Sequence, residues 1–224
     1  MINDFSLKID PENYWNSEIY FENSEINKKN VENTILDFKP NFDKILVCGR
    51  GELIHPIYKP CFSTPTTNVE SELYVTVDHD PNYTKYINKK GNYALSLIVD
   101  PLVPKKILEI GGKIFWFSPE YLDLGLPKII SGKFPRGNSG LSCIMLASFF
   151  GAKQILLSGI KLLGDYSQFN EGKDLVFKMV RDNHTTLNSL DGVLCEKISF
   201  EDLRRSRYKN GSSAQDHESL ATFP

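Results

Sequence analysis

With 224 residues, 41% of them hydrophobic, the chain is long enough to bury a full core as a single domain. Its 26 Lys and Arg nearly balance 28 Asp and Glu, so no global field points to nucleic acid or to an anionic membrane, and any anion binding has to be local. No apolar run approaches the ~18 residues of a membrane span, and the segment from Met1 to Asp10 lacks the charged-then-apolar layout of a signal peptide, so a cytoplasmic protein without a membrane span is expected.

Residues 1–43 are polar, rich in Asn and Glu, and carry isolated aromatics (Tyr14, Trp15, Tyr20, Phe21). They read as an N-terminal extension whose later part, about Lys28 to Phe38, is helical. Lys44 to Cys48 is then a short, continuous apolar run ended by Gly49-Arg50-Gly51, the pattern of a buried parallel strand. Five more strands are predicted, at Glu72–Val77, Tyr93–Val99, Lys113–Phe117, Gln154–Leu157 and Gly192–Ile198. Between them, Asn82–Asn88, Leu102–Ile110, Ser139–Phe150 and Gly172–Leu190 read as helices, with Pro81, Pro101 and Pro104 near their starts, where proline is tolerated.

That alternation predicts an α/β fold over residues 44–200: a Rossmann-like, doubly wound, mostly parallel sheet of about six strands with helices on both faces. Residues 201–224 lack periodicity and apolar density and are expected to be a flexible tail. Three arginines in Arg204–Arg207 are too few, without interleaved aromatics, to make nucleic acid the expected partner. The cysteines, Cys48, Cys61, Cys143 and Cys195, show no zinc or redox spacing; Cys61, beside Pro60, is assigned to a loop and is the one expected to be exposed.

In such folds ligands bind at the carboxyl ends of the strands, near the point where strand order reverses. Four clusters lie there. Gly49, Arg50 and Gly51 put two glycines at a strand end, where backbone can approach a phosphate, although a lone G-x-G falls short of the dinucleotide pattern. No G-x-x-x-x-G-K-[ST] segment exists, which excludes a P-loop NTPase.

Asp78 and Asp80 supply two hard carboxylates suited to magnesium, with Asp78, nearer the strand, the better candidate for ribose or metal contact and a catalytic candidate, and His79 between them could orient a substrate. Asp80 before Pro81 is equally a helix cap. Arg136, Asn138, Ser139 and Gly140 open a helix whose first amides and flanking cation suit a phosphate. Downstream of the strand ending near Gly159, Asp165 and Tyr166 are candidate substrate contacts, and His184 is the candidate general base.

Two blocks carry a family likeness: Tyr74-Val-Thr-Val-Asp-His-Asp-Pro-Asn-Tyr-Thr-Lys-Tyr86, and Asn138-Ser-Gly-Leu followed by Phe149-Phe-Gly-Ala-Lys-Gln-Ile-Leu-Leu-Ser-Gly-Ile160. Together they resemble the archaeal 6-hydroxymethylpterin pyrophosphokinase-like family over residues 44–190, and the closing block also resembles bacterial sialyltransferases with a Rossmann-like fold. The first resemblance implies a nucleotide with magnesium surrounded by Gly49 and Gly51, Asp78 and Asp80, and Asn138 to Gly140. It implies a diphosphotransferase acting with ATP on a small hydroxyl-bearing substrate.

The second resemblance implies a glycosyltransferase that uses a nucleotide sugar, with His184 deprotonating the acceptor and no metal. Two departures from the pyrophosphokinase-like pattern, Glu52 in place of proline after the second glycine and Lys161 in place of an acidic residue, motivate a third expectation. That is a nucleotide- or sugar-phosphate-binding protein without catalysis.

Overall fold

The computed structural model of the chain describes residues 11–51, 60–119, 124–129, 138–160, 182 and 186–189. Eight strands follow one another along it: β1 (Lys44–Cys48), β2 (Cys61–Ser63), β3 (Leu73–Thr76), β4 (Asn92–Ser96), β5 (Lys113–Pro119), β6 (Lys128–Ile129), β7 (Gln154–Ser158) and β8 (Thr186–Ser189). The helices are α1 (Pro11–Lys28), α2 (Leu102–Glu109) and α3 (Ser139–Phe149), with 3-10 turns at Ile35–Asp37 and Pro81–Tyr86. Strand order is β6-β5-β4-β3-β2-β1-β7-β8, and every pairing is parallel. This is the expected Rossmann-like α/β sheet, with more strands than the six anticipated.

The added strands are those too short to show a pattern. β2 has three residues and β6 two. Thr186–Ser189 forms β8 where the close of a helix spanning Gly172–Leu190 was expected. The strand expected at Gly192–Ile198 lies outside the described residues. Cys61 is corrected with β2: it sits in the sheet, 1% exposed, its Sγ 3.7 Å from that of Cys48.

Both faces of the sheet are covered, which is why its strands read as unbroken apolar runs. One face gathers Ile45, Val47, Phe62, Val75, Phe115 and Leu157 against α3. The alternate residues Tyr74, Tyr93, Leu95 and Trp116 point the other way, onto Val103 and Ile107 of α2. From Leu141 to Ser148 every residue of α3 is buried, so this helix is apolar all round rather than amphipathic.

The N-terminal region corrects the expected helix at Lys28–Phe38. The helix instead ends at Lys28, and the chain runs on to β5, where the Trp116 amide donates to the Asn33 carbonyl (3.0 Å) and Thr34 bridges Trp116. Thr34 and Asp37 then cap each other's backbone around the 3-10 turn, an arrangement that competes with helix. The segment at Asn82–Asn88 is likewise a 3-10 helix, Pro81–Tyr86, rather than an α-helix.

From β1 the chain builds outward through β2 to β6, then returns through α3 to add β7 on the opposite side of β1. The strand order therefore reverses between β1 and β7. Their carboxyl ends open a crevice there.

Candidate functional site

At that crevice lies a cleft of about 750 Å³ whose walls are the ends of β1, β2, β3 and β7 and the start of α3. Gly49 and Gly51 line it, but their amides are already occupied: Gly49 N–H donates to the Ser158 carbonyl (2.9 Å) and Gly51 N–H to that of Gly159 (2.8 Å). A Cβ on Gly49 would stand 2.6 Å from the Gly159 oxygen, and one on Gly51 2.7 Å. These glycines allow the close approach of two strand ends, and their amides are engaged within the fold. Arg50 between them is exposed on the cleft wall.

The start of α3 has a different accounting. Asn138 Oδ1 accepts the Leu141 amide (3.0 Å), and the Asn138 carbonyl accepts both the Ser142 amide and the Ser142 hydroxyl (3.0 Å each). Among the described residues, the amides of Ser139 and Gly140 meet no acceptor, and both residues line the cleft. An eleven-residue helix thus turns two uncommitted N–H groups and its positive end toward the opening.

Those amides are held in place from the β3 side. Ser139 Oγ accepts the Val77 amide (3.2 Å) and lies 3.5 Å from Thr76 Oγ1. The Tyr83 hydroxyl lies beside Thr76 and Ser139. Burial pushes the Tyr83 phenol well above its usual range, so it stays neutral and able to donate.

Asp78, half-buried, lines the cleft; its Oδ1 accepts the Asp80 amide (3.1 Å) while its own amide donates to Thr76 Oγ1 (3.1 Å). Asp80 also lines it, but its Oδ1 accepts both the amide (2.9 Å) and the side-chain nitrogen (3.0 Å) of Asn82, the capping geometry that starts the 3-10 helix. One oxygen of each carboxylate remains for a cation, and among the described residues no three metal-ligating side chains gather.

His79 goes elsewhere. Its ring packs edge-on against Tyr20 of α1, centroids 4.8 Å apart at 85°, and it is not among the described residues of the cleft wall. Arg136, Asp165, Tyr166 and His184 lie outside the described residues, as do Glu52 and Lys161.

Several wall residues carried no signal in the sequence. Thr64 and Thr66 follow β2, with hydroxyls 2.8 Å apart, and the Thr64 amide donates to the Cys48 carbonyl (3.3 Å). Finding β2 would have exposed them, because its carboxyl end belongs to the same rim. Asn82, Lys85 and Tyr86 come from the 3-10 helix after β3.

No protein-family model and no curated protein matches the sequence. Among solved structures, the MAf glycosyltransferase from Magnetospirillum magneticum AMB-1 aligns with a TM-score of 0.55 at 9% identity, over 86% of this chain and 42% of that one. The sialyltransferase CstII from Campylobacter jejuni, solved with the substrate analogue cytidine-5'-monophosphate, aligns at 0.37 and 13% identity, over 69% and 80% of the two chains. The second likeness is too distant in shape to bear on the site. The first is one of fold, and the chain spans well under half the length of that glycosyltransferase.

Proposed function

We propose that the cleft binds the phosphate of a nucleotide sugar and that the chain is a glycosyltransferase. The observation that carries this reading is the pair of uncommitted amides, Ser139 and Gly140, at the start of α3, opening into a cleft at the point where strand order reverses. Arg50 and Lys85 add positive charge to the same wall. A fold of this kind hosts many reactions, so the fold shared with a glycosyltransferase supports the reaction class without carrying it.

In the reaction an acceptor hydroxyl attacks the anomeric carbon. The new carbon–oxygen bond forms as the bond from that carbon to the phosphate oxygen breaks, and the electron pair leaves on the phosphate. Fixed N–H donors and an arginine stabilise the charge that develops there. The hydroxyl proton passes to a base, for which Asp78 on the cleft wall is the candidate among the described residues and His184 the other.

The diphosphotransferase reading needs magnesium between Asp78 and Asp80, each of which has one oxygen held by a local amide and the other left for the metal. Magnesium dependence separates the two. In a thermal-shift panel of CMP-, UDP- and GDP-sugars and ATP, each with and without magnesium, a nucleotide sugar is expected to raise the melting temperature without the metal, increasingly with concentration. A response to ATP alone, and only with magnesium, would restore the diphosphotransferase. Asp78→Asn should keep the nucleotide-sugar shift and lose transfer; a shift in the unmodified chain with no transfer to any acceptor would mark a binding protein.

A further inference from the structure

A phosphate fills only a small part of a cleft of about 750 Å³, and the remaining wall says what else it is shaped for. Among the described wall residues the flat aromatic surface comes from one place, the 3-10 helix after β3, through Tyr83 and Tyr86. With three residues per turn, positions three apart eclipse in such a helix, and these two rings stand together, centroids 5.4 Å apart at 65°. Their situations differ. Tyr83 is buried, its hydroxyl beside Thr76 and Ser139, so it anchors the helix start. Tyr86 is half-buried: it packs against the core cluster that holds Val103 and Ile107, lines the cleft, and meets Tyr83 edge-on.

The other wall residues are glycines, threonines, acidic and amide side chains, Ser139, two cations and Ile160. These can hydrogen-bond or neutralise a ribose phosphate, but they offer no planar apolar face to an aromatic base. Lys85 Nζ lies over the Tyr86 ring, 5.0 Å from its centroid, and on this exposed, flexible side chain the charge is free to swing from the ring face to a phosphate joined to a stacked base.

We propose that Tyr86 is the nucleobase platform of this cleft, with Lys85, whose ammonium lies over its ring, as the cation that yields that face to the base and pairs with the phosphate. The proposal rests on the nucleotide reading above and extends it, because it assigns the two ends of the ligand: phosphate at the Ser139 and Gly140 amides, base on the 3-10 helix. Stacking tolerates any base, since each has a π face, so Tyr86 selects for the presence of a base more than for its identity.

The test compares CMP, UMP, AMP and GMP with ribose 5-phosphate, which has the sugar and phosphate but no base, by calorimetry on the full chain. The unmodified chain is expected to bind the nucleotides about ten-fold or more tighter than ribose 5-phosphate. Tyr86→Leu, which keeps an apolar contact with Tyr83, should abolish that advantage and leave the ribose 5-phosphate affinity unchanged, whereas Tyr86→Phe should retain it. Equal affinity for nucleotides and ribose 5-phosphate in the unmodified chain would overturn the platform and keep the phosphate site. Unaltered nucleotide binding in Tyr86→Leu, with or without a raised KM for an acceptor, would overturn it too. If neither nucleotides nor ribose 5-phosphate bind the unmodified chain, the nucleotide reading falls and the platform with it.

Discussion

A methyl group on Gly49 would lie 2.5 Å from Ile160 Cγ1 and 2.6 Å from the Gly159 oxygen. The isoleucine tip could turn aside, but the carbonyl belongs to backbone that pairs with β1 and has little freedom to move. Gly49→Ala is therefore expected to cost about 1–3 kcal/mol in urea denaturation, the range of an overpacked core, and to weaken any ligand of the cleft by parting the two strand ends. At this scale the sequence was more informative about residue type than about purpose. Two glycines after a strand suit phosphate contact as well as close backbone packing, and the second is visible only in the hydrogen bonds to Ser158 and Gly159. Asn138 and Asp80 were more legible, because a cap acts through its own neighbours in the chain: both accept backbone amides two or three residues on.

Helix α1 shows how an element can hide. From Glu18 to Lys28 its buried positions, Tyr20, Asn23, Ser24 and Asn27, fall at helical spacing, but three of the four are polar, so no apolar stripe marks this part of it. The asparagines explain the choice. Asn27 Nδ2 donates to the carbonyls of Leu97 (2.9 Å) and Val99 (2.8 Å), and Asn23 Nδ2 to that of Ile98 (3.1 Å), so the helix satisfies the backbone where the chain leaves β4. Removing Asn27 would leave two buried carbonyls without that donor, at a cost of about 1–3 kcal/mol each at most. Asn27→Ala should show in hydrogen exchange as lost protection across α1, with the amides of β1 and β7 unaffected. Equal loss throughout would mean that α1 is integral to the fold's cooperative unit.

For the whole molecule, burial has a consequence at high pH. Burial raises the phenols of Tyr83 and Tyr93 above the ordinary value of 10.0, Tyr93 to about 12, and Tyr74 in the same direction. Because the folded state holds these protons more tightly than the unfolded chain, their contribution to stability is complete below pH 10.0 and is lost as the pH rises toward the folded values. Phenolate absorbance is expected to show tyrosines that titrate late and together with alkaline unfolding, and Tyr83→Phe should remove part of that sensitivity. Sheet order belongs to this scale as well. Five strands were visible because a parallel strand buried on both faces must be apolar throughout, and that demand is written into every residue of the run. Which strand lies beside which is set by long-range packing and by where α3 crosses, and that alone brings Gly49, Asp78 and Ser139 to one opening and turns His79 toward Tyr20 instead. The chain by itself determined a buried parallel α/β core and its capped helix starts, since both follow from local residue type. The contacts among strand ends, the threonines behind β2 and the Tyr86 wall were decided only by tertiary structure, because each depends on neighbours far away in the chain.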